Sequence, residues 1–216
     1  ALRPPPAPAA AQIDPGRGVR CLTCYRVCPY RAVSLRRRPE VLADACEGCG
    51  ICRAECPRQA IRISGLEPAE FHRLLGSERS TTGRRPRLTV LACARSGGPA
   101  VRAAAAAGPS WPAQVTLVEV PCAGSLGPEF LLAAFGRGAD GVMVLACHDE
   151  LCHGRTGNRL AAARTEHTRE FLRGCGSPGQ LVYRTTAANM DTETGRAIAE
   201  LAAQLTAPGP GRTPTA

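Results

Sequence analysis

The spacing of the cysteines between residues 46 and 57 constrains this chain more than any other feature. The run reads Cys46-x2-Cys49-x2-Cys52-x3-Cys56-Pro57 and places its thiols in one short segment. A 4Fe-4S cluster needs thiolates that converge from several directions, and few other chemistries use this spacing. The run therefore predicts a cluster-binding loop.

A second copy of the run lies upstream. It reads Gly18-x2-Cys21-x2-Cys24-x3-Cys28-Pro29, and residues 32–35 beyond its proline match residues 60–63 beyond the other proline. The first ligand position of this copy holds Gly18, which has no side chain. The repeat predicts two related sites, one of which lacks a thiol.

The twelve cysteines among 216 residues are better explained by metal binding than by disulfides. Disulfide scaffolds are typical of much shorter secreted chains, so we expect a reducing compartment.

The charge of +9 comes from arginine alone, because the sequence has no lysine. Cluster thiolates offset part of this charge, so nucleic-acid binding is not favoured, and the remaining arginines predict docking of an acidic partner. Without lysine, a Walker-type phosphate site and a Schiff base are excluded.

The composition divides the chain into five segments. We expect a disordered or linking segment at 1–12, a 4Fe-4S domain at 13–64, a linker at 65–85 with a short helix near 68–75, a second domain at 86–206 and a disordered tail at 207–216. The first residues lack the charged start and apolar centre of a secretory signal, and no apolar stretch is long enough to cross a membrane. These features predict a cytoplasmic protein without direct membrane insertion.

The second domain alternates strand-like and helical patterns. Apolar runs at 88–92, 115–120, 141–146 and 181–183 predict strands, and residues near 100–107, 129–135, 158–172 and 192–205 predict helices. This order favours an α/β domain with a parallel sheet and flanking helices.

The glycine motif Gly136-x-Gly138-x-x-Gly141 follows a predicted helix and precedes a predicted strand. A dinucleotide-binding fingerprint requires the opposite order, so we interpret this motif as a turn.

Three cysteines of this domain follow or close predicted strands. Because the carboxyl ends of parallel strands share one edge of a sheet, we expect Cys93, Cys122 and Cys147 to lie together. Cys152, in the loop after Cys147, can supply a fourth ligand. Four thiols suit either an iron-sulfur cluster or zinc, and strand-end cysteines can also be ordinary core residues.

The cysteine repeat resembles the bacterial two-cluster ferredoxins, and this resemblance implies an α+β fold with a pseudo-twofold pair of hairpins and helices. It implies that one 4Fe-4S cluster is held by Cys28, Cys46, Cys49 and Cys52. It also implies that three corners of a second cluster are held by Cys21, Cys24 and Cys56.

Gly18 departs from the ferredoxin pattern and leaves three outcomes open for the second site. The site can hold a 3Fe-4S cluster, hold a 4Fe-4S cluster with a fourth ligand from solvent, Asp14 or a partner, or stay empty. A zinc ribbon that uses Cys21-x2-Cys24 and Cys49-x2-Cys52 is an alternative, but it leaves the other cysteines of the repeat unexplained.

The second domain resembles the delta subunit of methyl-viologen-reducing hydrogenase over about residues 88–205. The resemblance rests on residues 120–124 (VPCAG), on residues 134–142 (AFGRGADGV) and on the segment from Cys147-His148 through Cys152-His153 to Gly157-Asn158. It implies a 2Fe-2S cluster held by Cys93, Cys122, Cys147 and Cys152. The family often has a further cysteine three residues after the first, where this chain has Ser96. Cys175 has no counterpart in the motif and is interpreted as structural.

These resemblances imply an electron-transfer subunit of an oxidoreductase complex rather than a self-sufficient catalyst. Residues 21–30 also look like the region that precedes such delta domains in flavin-containing heterodisulfide reductase subunits. We therefore expect a flavoprotein of heterodisulfide reductase type, and a hydrogenase or other donor, as partners. Two alternatives stay open at this point, namely a catalytic subunit that reduces a disulfide or sulfur compound directly and a zinc-stabilised interaction module.

Overall fold

The N-terminal part of the chain combines short strands and short helices. The computed structural model describes residues 10–76, 85–108, 110–177 and 179–206. Strand β1 (Gln12–Ile13) pairs with β4 (Ile61–Arg62), and β2 (Val33–Leu35) pairs with β3 (Pro39–Val41), both antiparallel. Helices α1 (Thr23–Val27) and α2 (Ile51–Ala54) each carry the last part of a cysteine loop.

The 28-residue sequence repeat is also a repeat of backbone conformation. Arg20 and Gly48 have φ of 54° and 58°, and Leu22 and Gly50 have φ of 64° and 82°. The two halves therefore keep the same left-handed positions, although only the second half has glycines there.

The C-terminal part is built on a four-stranded sheet. All its strand pairs are parallel, in the order β6-β5-β7-β8. The strands are β5 (Arg87–Cys93), β6 (Gln114–Val120), β7 (Gly141–Cys147) and β8 (Gln180–Thr186). The helices are α3 (Pro68–Leu74), α4 (Gly97–Ala106), α5 (Pro128–Gly136), α6 (Gly157–Gly174) and α7 (Asp191–Thr206). The predicted parallel sheet with flanking helices is confirmed.

The two faces of the sheet pack against different helices. Strand β7 is buried along its whole length, as expected of a central parallel strand with a continuous apolar run. Val90 and Met143 face α4 and α7, and Leu91 and Val144 face α5 and α6. Because Cys93 follows Leu91 by two residues, it belongs to the same face as α5 and α6.

The cysteine repeat packs against the α5 and α6 face through one continuous core. Phe71 on α3 is fully buried, and its ring centroid lies 4.1 Å from that of Phe130 on α5. The predicted linker thus contains a helix that is packed into the interior. The domain limits stay a prediction, because residues 1–9, 77–84 and 207–216 lie outside the described residues, although Ala11 is buried and β1 begins at Gln12.

Two further expectations can be compared with the structure. Helix α5 ends at Gly136 and β7 begins at Gly141, so the glycine-rich letters form a helix-to-strand turn, as predicted. Among the described residues, no helix has the length and apolarity needed to cross a membrane.

The Phe71→Ala variant should destabilise the protein by about 3–5 kcal/mol, because it removes a buried ring from the junction of the two parts. Leu74→Ala on the same helix is the matched control, because Leu74 is 49% exposed; it should change the unfolding free energy by less than about 0.5 kcal/mol. Denaturant unfolding of both variants, monitored by circular dichroism, checks this. Equal midpoints would contradict the role assigned to Phe71.

Candidate iron-sulfur centres

Two thiols of the C-terminal part meet at the ends of neighbouring strands. Cys93 ends β5 and Cys147 ends β7, and their Sγ atoms lie 3.6 Å apart. The strand order changes direction at β5, because β6 lies on one side of it and β7 on the other. The carboxyl edge at such a switch point is where open α/β sheets build their ligand sites.

The other two thiols form a second pair beside the first. Cys122 lies two residues beyond β6, and its thiol is hydrogen bonded to that of Cys152. The charges of Cys93 and Cys152 also act on Cys122, which places both pairs in one site. The structure therefore brings together all four cysteines predicted for this site, as two pairs.

Each pair holds one thiol that ionises easily and one that does not. The hydrogen bond between the Cys93 and Cys147 thiols lowers the pKa of Cys93 and raises that of Cys147. Cys122 lowers the pKa of Cys152 in the same way, and backbone amides of Asn158, Gly154 and Gly157 lower it further. Thiolates are the metal-binding form of cysteine, so the site is arranged for ligation.

Two features next to the four thiols suit a bound group. One is a glycine close to two of the sulfur atoms, and the other is a buried hydroxyl. A Cβ atom at Gly157 would lie 2.5 Å from the Cys122 Sγ and 3.7 Å from the Cys152 Sγ. The Ser96 hydroxyl is buried and makes no hydrogen bond of ordinary geometry, but it lies close enough to Cys93 and Cys147 to lower the pKa of both. A buried hydroxyl beside two thiols fits a group that brings further sulfur acceptors.

The C-terminal thiols are shielded from solvent. None of the four exceeds 8% exposure. A direct attack on a disulfide substrate requires an accessible thiolate. The site therefore does not favour direct reduction of a disulfide.

The first site of the cysteine repeat gathers thiols from both copies. A cavity of about 350 Å³ is lined by all four predicted ligands, Cys28, Cys46, Cys49 and Cys52. Burial, together with the charges of the neighbouring thiols, raises the pKa of Cys49 to about 11 and that of Cys52 to about 12. The amides of Ala11 and Ala32 donate hydrogen bonds to the Sγ atoms of Cys46 and Cys28 at 3.4 and 3.3 Å.

The second site of the repeat is more open. Its cavity of about 360 Å³ is lined by Gly18, Cys21, Cys24 and Cys56. Burial raises the pKa of Cys24, and the charges of Cys21 and Cys56 raise it further, so these three thiols lie near one another. Cys21 is exposed, whereas Cys24 is buried.

The thiols of the described residues are not arranged for a single metal ion. Within residues 10–76, 85–108, 110–177 and 179–206, no three His, Cys, Asp or Glu side chains converge closely enough to hold one ion. A zinc site requires four ligands at about 2.0–2.3 Å from one point.

The 4Fe-4S loop touches the C-terminal thiol site directly. Ile51 lies between Cys49 and Cys52, and its side chain reaches Gly124, Gly154 and Gly157, where added Cβ atoms would meet it at 2.9, 3.2 and 3.3 Å. The Tyr30 hydroxyl donates to the carbonyl oxygen of His153 at 3.0 Å. These two side chains join the loops of the two sites.

The sequence analysis did not single out Ile51 or Tyr30, because neither isoleucine nor tyrosine is a usual ligand of an iron-sulfur cluster. Position alone marks them, since Ile51 stands between two ligand cysteines and Tyr30 follows Cys28-Pro29. His148 contacts the Met190 sulfur at 3.1 Å rather than a cysteine. Cys175 is exposed at the end of α6 and lies outside the thiol sites.

Buried thiol pairs at a sheet edge, next to a cysteine repeat, define an iron-sulfur protein. Residues 39–62 match the 4Fe-4S binding domain, and residues 88–209 match the family described as methyl-viologen-reducing hydrogenase, delta subunit. The second match covers more than half of the chain. The chain therefore belongs to the methyl-viologen-reducing hydrogenase delta subunit family.

The curated relatives are subunits of redox complexes. One subunit of the ferredoxin:CoB-CoM heterodisulfide reductase of Methanosarcina mazei is 28% identical over 173 residues, which cover 78% of this chain and 21% of the relative. The iron-sulfur subunit of the F420-non-reducing hydrogenase of Archaeoglobus profundus is 42% identical over 67 residues, which cover 31% of this chain and 49% of the relative. The chain thus spans about a fifth and about half of these two proteins.

A third relative matches over most of its own length. The iron-sulfur subunit of the vhu F420-non-reducing hydrogenase of Methanocaldococcus jannaschii is 30% identical over 127 residues, which cover 58% of this chain and 94% of the relative.

Gly157→Ala should lower the iron and sulfide bound at the C-terminal site, because its methyl group would enter the space beside the Cys122 sulfur. Gly174→Ala, on the same helix, is the matched control, since a Cβ there meets nothing within 4 Å. Iron and acid-labile sulfide assays on anaerobically purified protein measure the effect. If both variants retained the iron of the wild type, the space beside Cys122 would not belong to a binding site.

Proposed function

We propose that the chain is an iron-sulfur electron-transfer subunit that relays electrons between a hydrogenase or flavoprotein donor and a heterodisulfide reductase-type acceptor. The contact that Ile51 makes between the two thiol sites carries this proposal. A ligand loop that packs directly on a second set of ligands suits transfer between two centres, whereas a catalytic site needs access for its substrate.

The four C-terminal thiols would hold a 2Fe-2S cluster. Each iron of such a cluster takes two protein ligands, which matches the two thiol pairs Cys93/Cys147 and Cys122/Cys152. The N-terminal set of Cys28, Cys46, Cys49 and Cys52 would hold a 4Fe-4S cluster in a ferredoxin-like domain, which the repeated backbone supports. When bound, such clusters supply one-electron oxidation and reduction.

The residues around the thiols affect the charge on the sulfur atoms and the packing between the two loops. The Ala11 and Ala32 amides donate hydrogen bonds to ligand sulfurs and thereby stabilise negative charge on them. Ile51 and Tyr30 lie between the two loops and join them. Burial raises the pKa of Tyr30 to about 12, so its hydroxyl stays protonated and continues to donate to His153.

The proposed partners follow from the relatives and from charge. The matched proteins are subunits of hydrogenase and heterodisulfide reductase complexes, which supports redox proteins as neighbours. The charge of +9 supports docking with an acidic partner.

The first test compares three cysteine variants of the full chain, purified anaerobically. Cys49→Ser should remove about four iron atoms and Cys147→Ser about two, whereas Cys175→Ser should remove none. EPR spectra during dithionite titration of the wild type should include the signals of two reducible centres that depend on Cys49 and on Cys147, with broadening from magnetic interaction when both are reduced. Cys147→Ser should abolish that interaction.

Two results would overturn the proposal. Zinc in place of iron, with no signal on reduction, would leave a structural interaction module. Turnover of a disulfide by the isolated chain would instead support a catalytic subunit.

Ser96→Ala should make the reduction potential of the C-terminal centre more negative, because the variant loses a buried hydroxyl that can donate to its sulfur atoms. The potential of the N-terminal centre, measured in the same redox titration, serves as the internal control. An unchanged C-terminal potential would exclude a hydrogen bond from Ser96.

A further inference from the structure

We infer that Cys21, Cys24 and Cys56 hold an iron-sulfur cluster with one corner that lacks a protein ligand, and that the iron at this open corner is exchangeable. The site lies beside Gly18, outside the pair of centres used in the proposed function. Four observations support it.

The loop that carries Cys21 and Cys24 keeps the backbone conformation of the loop that carries Cys46, Cys49 and Cys52, although this conformation is unfavourable for its residues. Arg20 and Leu22 occupy left-handed positions where the other copy has Gly48 and Gly50. A left-handed conformation is unfavourable for a residue other than glycine and persists only where the surroundings require it. A loop without a ligand would have no reason to retain both positions.

The hydrogen bonds to ligand sulfur are repeated as well. The Ala60 amide donates to the Cys56 Sγ at 3.3 Å, just as the Ala32 amide donates to the Cys28 Sγ at 3.3 Å. Each site also has a pocket lined by its thiols. The site with three thiols therefore repeats the sulfur environment of the site with four.

The described residues that line this cavity do not include a fourth cysteine. The lining contains three thiols but no carboxylate and no imidazole. Asp14, the nearest acidic residue in the sequence, does not line the cavity, and its Oδ1 accepts hydrogen bonds from the amides of Gly16 and Arg17 at 2.8 and 3.3 Å. The corner next to Gly18 is thus left to solvent.

The site also lies at the surface and beside the complete site. Cys21 is exposed, so iron can enter and leave from solvent. On the inner side, the charge of Cys24 acts on Cys52, a ligand of the complete site. An exchangeable corner at this position would change the charge and potential of the outermost centre of the chain.

The exchange is balanced in iron and electrons. A reduced 3Fe-4S core of charge zero takes up Fe²⁺ and becomes a 4Fe-4S core of charge +2, with water as the fourth ligand. Removal by a one-electron oxidant gives an oxidised 3Fe-4S core of charge +1, releases Fe²⁺ and passes one electron to the oxidant.

The test uses the full chain, purified anaerobically, with ferricyanide as oxidant and dithionite plus Fe²⁺ for reconstitution. After ferricyanide, the wild type should show the EPR signal of an oxidised 3Fe-4S cluster. The signal should disappear after treatment with dithionite and Fe²⁺, with a gain of about one iron atom per chain. A second treatment with ferricyanide should restore it.

Gly18→Cys completes the ligand set. A Cβ atom at this position would lie 3.3 Å from the Asp14 carbonyl oxygen, a tight contact that requires a backbone shift of a few tenths of an ångström. This variant should lose the ferricyanide-induced signal, whereas Gly16→Cys, which adds a thiol outside the cavity, should keep it. Cys21→Ser should lower the iron content without affecting the two centres of the proposed function.

The inference fails if the wild type shows no 3Fe-4S signal after ferricyanide, or if Gly18→Cys leaves that signal unchanged. It also fails if Cys21→Ser changes neither iron content nor spectra, because the site would then be empty. The proposed function fails separately, through the signals that depend on Cys49 and Cys147.

Discussion

The packing of Ile51 against three glycines is the contact on which the arrangement of the sites depends. The side chain lies where Gly124, Gly154 and Gly157 have no Cβ, and it leads from the 4Fe-4S loop to the sulfur atoms of the C-terminal site. A larger residue at any of the three would push the two ligand loops apart. The contact couples the position of one site to that of the other.

Ion pairs also connect the cysteine repeat to the α/β part, close to the Ile51 contact. Arg164 pairs with Glu55, next to Cys56, and also donates to the carbonyl oxygens of Gly124 and Leu126 at 2.7 and 3.1 Å. Arg95 pairs with Glu47 at 2.9 Å. Each arginine ties the cysteine repeat to the α/β part, and the Arg164 pair is shielded enough from solvent to matter more than the exposed pair.

Much of the architecture was predictable from local patterns. Each of strands β5 to β8 contains an apolar run, and helices α4 to α7 lie between or after them, so their order indicated a parallel sheet. The cysteines at the strand ends followed from that topology. The burial of Phe71 did not, because a short helix between two motifs carries no signal of the surface against which it packs.

The sequence by itself determined the chemistry of the sites, because the cysteine spacings and Gly18 specify which thiols are available and where one is missing. Tertiary structure decided how those thiols are grouped. The pairing of Cys93 with Cys147 requires β5 and β7 to be neighbours, and the contact of Ile51 with Gly157 joins residues more than a hundred positions apart. Such contacts depend on packing of complementary shapes across the core, which no local pattern of residues encodes.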